Sequence, residues 1–311
     1  MKAAQINQYG DASVVQINEV AVPTPADDQV LVSVRAVSLN PFDSTVRNGY
    51  MKDAIPLQLP VTIGGDIAGT ITAVGANVTH VTVGDNVYGQ ANVVAGDSGA
   101  FAEFAATATD HIAKMPTTLD FNQAAALPLI GVSALQALTQ HIHLQSGQKI
   151  FIHGGGGAIG TIAIQLAKHL GAYIAVTATG DDIERVRNLG VGEVIDYKSQ
   201  DFTKLLQNYD AVFDTVGGDD FTRSLSILHQ GGIAVSMAGS ADETIVKGLG
   251  VQAISQMTRV TTNMLDTLSK LVEAGAIVPH IGKIFAFEQI KEAFIARESA
   301  MIPGKIIVEL R

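Results

Sequence analysis

Lys149-Ile150-Phe151-Ile152-His153, then Gly154-Gly155-Gly156-Gly157-Ala158-Ile159-Gly160, then a helical pattern running to Leu170: this stretch decides the fold of the chain. An apolar strand, a glycine turn and an amphipathic helix follow one another, and Gly155, Gly157 and Gly160 satisfy the spacing G-x-G-x-x-G. The first glycine of that pattern permits a tight turn, the second lets the backbone approach a pyrophosphate, and the third lets the helix pack on the strand. Around Ala158 and Ile159 the helix start offers free N–H groups and the positive end of the helix dipole. Four consecutive glycines also suit a merely flexible loop, so the surroundings must decide.

The surroundings favour a dinucleotide site. Strand patterns at 149–153, 173–177, 193–195, 211–214 and 232–237 alternate with helical ones at 158–170, 182–189, 201–207 and 219–229. Such alternation marks βαβ units, and right-handed crossovers wind them into a doubly wound parallel sheet, the α/β Rossmann class. The first ~120 residues differ. They read as short extended segments, at 30–37, 69–74 and 85–88, broken by glycine turns and by Pro23, Pro25, Pro41, Pro56 and Pro60. A twisted, barrel-like β domain fits them. After about Val260 a further helix is expected at 264–274, and a final strand at 305–310 is placed to rejoin the first domain. The resulting division is 1–121 completed by 266–311, with 122–265 as the dinucleotide-binding domain; a length of 311 residues suits two domains.

Composition bounds the partners. The chain is 47% hydrophobic and 16% charged, which is globular, and its net charge of -10 repels nucleic-acid phosphates and anionic membranes. It has no cysteine, so disulfides, thiolate catalysis and cysteine-built zinc sites are excluded. The sequence gives no export signal, and the cytoplasm is the expected location. The uncharged run 121–148 contains Pro128, Gly131, His141 and His143, and reads as buried soluble helix rather than a membrane span.

An acidic residue about 20 positions past the glycine motif would take the ribose hydroxyls of NAD. Here the second strand ends Val176-Thr177-Ala178-Thr179, without a carboxylate. Asp181 with Glu184 has capping-box spacing and is assigned to the helix start. Thr177, Thr179, Arg185, Tyr197 and Lys198 remain to serve a 2′-phosphate, so NADPH is the expected cofactor and NADH the alternative.

Several stretches together resemble the quinone oxidoreductase (zeta-crystallin-like) branch of the medium-chain dehydrogenase/reductase superfamily. They are Leu39-Asn40-Pro41-Phe42-Asp43 with Arg47, Gly49 and Tyr50; Gly64-Gly65-Asp66-Ile67-Ala68-Gly69; Val83-Gly84-Asp85 with Val87-Tyr88-Gly89; Ala124-Ala125-Ala126-Leu127-Pro128; and Gly131-Val132-Ser133-Ala134. After the glycine motif come Val194-Ile195-Asp196-Tyr197, Asp214-Thr215-Val216-Gly217-Gly218 and Gly304-Lys305-Ile306. The resemblance implies a GroES-like β domain built from both chain ends, a Rossmann domain, an active site in the cleft between them and a homodimer. Zinc-dependent relatives carry a cysteine in the segment matching Leu39 to Asp43 and a His-Glu pair where this chain has Gly65-Asp66, so no metal is expected. His141 and His143 are taken as surface or packing histidines, and His153 as the end of its strand. Two departures concern the cofactor: Asp182 stands where some relatives place a lysine for the 2′-phosphate, and Pro303 where a basic residue often precedes the final Gly-Lys.

The implied chemistry is hydride transfer from NADPH to a quinone or an α,β-unsaturated carbonyl, a small molecule on whose oxygen negative charge develops. By the resemblance, Tyr50 and Asn40 lie at the substrate, Asp43 and Arg47 support their loop, and Ser133 and Gly217 lie along the cofactor. By the residues alone, Asn40 before Pro41 equally initiates a turn and Tyr50 equally packs. Two other functions stay open: an NAD(P)-dependent alcohol dehydrogenase-like enzyme, and a nucleotide-binding protein with little turnover.

Overall fold

A computed structural model describes residues 1–299 and 302–310. The chain divides into two compact units, one of residues 1–129, 260–274 and Pro279 onward, the other of 130–259 and 275–278. The sequence reading set the changes at 121/122 and 265/266. They fall elsewhere because helix α2 (Phe121–Ala125) packs on strands of the first unit and helix α9 (Thr262–Glu273) packs there too. Residues 275–278 join the second unit, where Gln165 bonds both the N–H and the carbonyl of Val278.

In the first unit β1 (Lys2–Ile6) pairs antiparallel with β2 (Val15–Glu19) and β4 (Val61–Thr62). The larger sheet is laid on β3 (Gln29–Leu39), whose buried Val30, Val32 and Val34 alternate with half-buried neighbours as the period of two demands. One edge of β3 pairs with β5 (Asp66–Val74), which leads on to β6 (Asn86–Gln90) and β8 (Ile112–Lys114). Its other edge is shared: β7 (Phe104–Ala108) covers Gln29 to Ser33, and β16 (Lys305–Glu309) covers Ala36 to Leu39. Thus the last strand does rejoin the first domain, and β15 (Ile281–Ala286) lies parallel outside it. The core gathers these strands with Phe101, Phe285, Phe287 and Phe294, the last on helix α10 (Ile290–Glu298). Phe101 and Phe294 meet edge to face at 5.9 Å.

The second unit holds a six-stranded parallel sheet: β9 (Lys149–His153), β10 (Tyr173–Ala178), β11 (Glu193–Asp196), β12 (Tyr209–Asp214), β13 (Leu228–Ser236) and β14 (Gln252–Ser255). Its order is β11-β10-β9-β12-β13-β14, the doubly wound Rossmann arrangement with a switch point beside β9. Crossovers include α4 (Ala158–His169), α5 (Asp182–Asn188), α6 (Phe202–Leu205), α7 (Asp219–Ser224) and α8 (Glu243–Leu249). Two readings need correction. The helix expected over 219–229 ends at Ser224, because a 3-10 turn at Leu225–Ile227 feeds β13 from Leu228. The sixth strand, β14, was not anticipated; its four residues are too few to show a period. The uncharged run 121–148 is broken into α2, α3 (Pro128–Leu135) and a π-helical turn at Gln136–His141, and among the described residues no helix is long and apolar enough to cross a membrane.

Candidate functional site

The residues singled out in the sequence fall into two groups, one in each unit. In the second unit β9 and α4 are joined by the glycine loop, and the geometry explains the glycines. A Cβ on Gly155 would stand 2.7 Å from Val176 Cβ, and one on Gly160 would stand 2.2 Å from the carbonyl oxygen of Gly154. Neither fits without moving strand or helix. Gly157 N-caps α4 without a side chain, and the first intrahelical bond runs from Thr161 N to Gly157 O. The N–H groups of Ala158, Ile159 and Gly160 therefore have no acceptor within the helix, which is the arrangement a diphosphate needs. This donor set fits a dinucleotide.

The neighbouring residues hold that loop in place. Thr177 is buried; its hydroxyl accepts from Gly154 N at 2.9 Å and its carbonyl from Gly155 N at 2.9 Å. Arg185 donates to Gly156 O and to Asp182 Oδ1, both at 2.6 Å. The capping box expected from Asp181 and Glu184 does not form. Asp181 is itself helical, at φ -64° and ψ -21°, so its side chain makes no cap bond, and the helix entry turns on Asp182 N bonding Thr179 O. Thr179 instead donates to Asp196 at the end of β11, and hydrogen bonds from Ser199, Thr179 and Lys198 N hold the Asp196 carboxyl below its usual range. Sequence reasoning passed over Asp196 because it looked for an acid on β10, whereas the register pairs Ala178 with Asp196 one strand away. Tyr197 follows it, exposed.

Ser133 is buried on α3 with its hydroxyl 2.7 Å from that of Thr258. Gly217 sits at φ +81°, donates to both oxygens of Asp214, and would drive a Cβ to 2.7 Å from that of Ala238. Burial pushes the Asp214 carboxyl up, but the neighbouring His153 ring and hydrogen bonds from Ser236, Gly217 and Val216 outweigh it and leave it below the ordinary value. His153 ends β9 as expected and packs against Phe151 and Phe202, with Nδ1 3.4 Å from Asp214 Oδ1.

In the first unit β3 ends at Leu39, and Asn40 N-caps α1 (Pro41–Arg47), with Pro41 at the position where a missing N–H costs nothing. Asn40, Asp43, Asp66 and Lys305 are all buried, a concentration of charge that must be paired. It is. Asn40 N donates to Asp43 Oδ2 at 2.7 Å, and Asn40 Nδ2 donates to Asp66 Oδ2 at 2.8 Å. Lys305 Nζ donates to Asn40 Oδ1 at 2.6 Å and to Leu39 O at 3.1 Å, with Asp66 Oδ2 at 3.6 Å. Ser38 Oγ, Gln90 Nε2 and Leu129 N complete the donors to Asp66. Burial pushes the Asp43 carboxyl up to about 7, with Asp66 adding to the rise, while Asn40 N–H, Lys305 and Arg297 oppose it. Arg47 is held by Gly10 O at 3.0 Å and Glu298 at 2.7 Å, over the ring of Phe294. Tyr50, beyond α1, is 80% exposed. The structure thus brings Asn40 and Asp43 into one cluster, leaves Tyr50 outside it in solvent, and adds Lys305 and Asp66.

These residues do not fit zinc. The segment around Asn40 offers no thiolate or imidazole, its amide and carboxylate oxygens are already engaged by an ammonium, and no three His, Cys, Asp or Glu gather as a metal cluster among the described residues.

Residues 26–117 match the family model of the alcohol dehydrogenase GroES-like domain, and residues 189–308 that of the zinc-binding dehydrogenase. The chain is 33% identical over 319 residues to 2-methylene-furan-3-one reductase of Solanum lycopersicum, covering 99% of this chain and 79% of that one. Identity and coverage are the same for an NADPH-dependent alkenal/one oxidoreductase, chloroplastic, of Arabidopsis thaliana. Among solved structures, the quinone oxidoreductase from Coxiella burnetii superposes with a TM-score of 0.92 at 31% identity, over 100% of this chain and 99% of that one. With its doubly wound sheet, its glycine loop and a likeness that spans both units, the chain belongs to the quinone oxidoreductase, zeta-crystallin-like branch of the medium-chain dehydrogenase/reductase superfamily.

Proposed function

We propose that this protein is a zinc-independent oxidoreductase that transfers hydride from NADPH to quinones or α,β-unsaturated carbonyls. The observation that carries the reading is the uncapped start of α4, with three N–H groups facing outward from a glycine loop at the switch point of the sheet. The reductase and oxidoreductase names of relatives at 33% identity supply the substrate class. NADPH, when bound, supplies the hydride. The chain supplies the rest: Gly155, Gly157, Ala158, Ile159 and Gly160 receive the diphosphate, and Thr177 holds their loop from behind. Thr179, Tyr197 and Arg185 flank the ribose end, and Ser133 and Gly217 border the remainder of the cofactor. On the substrate side the hydroxyl of Tyr50 donates to the carbonyl oxygen as charge develops there, supported by its exposure and by the lack of a metal donor set. The Asn40 amide has its oxygen and one N–H already engaged, so Asn40 and Asp43 act chiefly by fixing the loop.

The enzyme acts as a homodimer in the cytoplasm. Support for the dimer comes from β14, which among the described residues leaves one edge of the parallel sheet unpaired for a second copy. The test of function is a screen of quinones and enones against NADPH and NADH, with and without a chelator. Turnover that persists after chelation is the expected result; turnover only after adding zinc, or only with alcohols and an oxidised cofactor, refutes the reading.

A further inference from the structure

The cation of the buried cluster comes from far along the chain. Lys305 opens β16, 265 residues from Asn40 in sequence. The three residues after it, Ile306, Ile307 and Val308, are apolar and buried. Burying an ammonium is unfavourable by several kcal/mol unless it is closely paired, so its partners matter. Two of them, Asn40 and Asp66, meet on one amide: Lys305 donates to the Asn40 oxygen, and Asp66 accepts from the Asn40 nitrogen. That amide cannot flip without breaking both bonds. Asn40 is also the first residue of the turn into α1, and the chain beyond α1 is bonded back onto it, with Gly49 N on Val46 O and Tyr50 N on Thr45 O.

We propose that Lys305 is a positioning residue of the reductase site: its ammonium, held by Leu39, Asn40 and Asp66, fixes the Asn40 amide and, through α1, the place of Tyr50. The inference rests on Tyr50 as the donor to substrate oxygen. The titratable and charged groups facing the ammonium are Asp66 on β5, Asp43 on α1 and Arg297 on α10. Burial lowers the Lys305 ammonium from its usual value, and Asp66 and Asp43 oppose that. Positioning and simple charge balance make different predictions once the charges are removed together.

Three variants separate them: Lys305→Met, Lys305→Met with Asp66→Asn, and Lys305→Arg. The single methionine variant loses thermal stability, because Asp66 is left buried without its cation. The double variant regains part of the melting temperature, because the unpaired buried charge is gone while some of the four donors to Asp66 lose their acceptor, but it keeps a kcat for quinone reduced roughly ten- to hundredfold, as misplacement of a donor does, with NADPH affinity within twofold of wild type. Lys305→Arg keeps the charge but not the single donor on Asn40, and loses kcat likewise. A double variant or an arginine variant with wild-type kcat overturns the proposal and reduces Lys305 to charge balance. A second readout is independent of turnover: the Asn40 side-chain amide protons give distinct, slowly exchanging NMR signals in wild type that average or vanish in the Lys305→Arg protein. If those signals persist unchanged, the tether is refuted; if they vanish while the wild type reduces no quinone or enone, the tether stands and the proposed activity fails.

Discussion

Replacing Asp43 by asparagine removes a carboxyl that the fold holds at about 7, against 3.8 in an unfolded chain. A carboxyl raised in this way binds its proton more tightly when folded. Its contribution to stability is complete below about pH 4 and is lost as pH rises through 7. At roughly 1.4 kcal/mol per pH unit the interval amounts to on the order of 4 kcal/mol, against a total stability of about 5–15 kcal/mol. Asparagine has nearly the same shape, and its oxygen still accepts the N–H of Asn40, so the variant keeps the loop bond and loses the titration. Asp85 and Asp214 are held below the usual carboxylate range, so what they contribute disappears in stronger acid and lies outside this interval. The assay is urea unfolding of both proteins at pH 4.5 and 7.5, followed by far-ultraviolet circular dichroism because the chain has no tryptophan. Wild type should lose several kcal/mol more than Asp43→Asn between the two conditions. Equal losses would show that Asp43 is ionised throughout and that the Lys305 and Arg297 cations outweigh its burial.

Three further outcomes are expected. Tyr50→Phe keeps the ring and removes one neutral hydrogen bond worth about 1–3 kcal/mol where charge develops, so kcat/KM for quinone or enone falls roughly five- to hundredfold with NADPH affinity unchanged; steady-state kinetics with both substrate types decide it. Gly160→Ala places a methyl group 2.2 Å from the carbonyl oxygen of Gly154, so α4 must shift from its loop; stability drops by about 1–3 kcal/mol and NADPH binding weakens at least tenfold, read by thermal shift and titration calorimetry. NADPH binds more tightly than NADH, and Asp196→Asn widens the gap by removing a carboxylate beside Thr179; competitive titration showing no change would place the 2′-phosphate elsewhere.

What could be read in advance follows from the range of the interactions. The β9, glycine-loop and α4 unit is encoded within some twenty consecutive residues, each glycine with its own steric reason, and the strand assigned at 149–153 is the strand observed. The return of the last strand to the first domain was legible because Lys305 to Leu310 is rich in β-branched apolar residues, Ile306, Ile307 and Val308, after a proline and a glycine. Asp181 illustrates the opposite case. Its capping-box spacing with Glu184 was present, but after Gly180 at φ +57° the N-cap residue Asp181 takes helical rather than extended dihedrals, and its side chain makes no cap bond. Asp196 and Lys305 were quoted only as parts of motifs, since strand register gives the first its place beside Thr179 and a contact across most of the chain gives the second its partners. A lysine directly before the apolar run Ile306 to Val308 was the signal available for the latter.

The shared edge of β3 has a consequence for how the protein is made. On a ribosome the second unit's main segment, 130–259, emerges in one piece and can close its parallel sheet while synthesis continues. The first unit waits, because Ala36 to Leu39 stay an open template until β16 is translated. That exposed ladder leads directly into Asn40 and Pro41, and for most of translation it is available to any extended peptide nearby. When β16 arrives, its first residue delivers the ammonium and its next four seal the ladder. A nascent chain stalled before residue 305 therefore carries an assembled parallel-sheet unit together with an unpaired strand edge at Ala36 to Leu39.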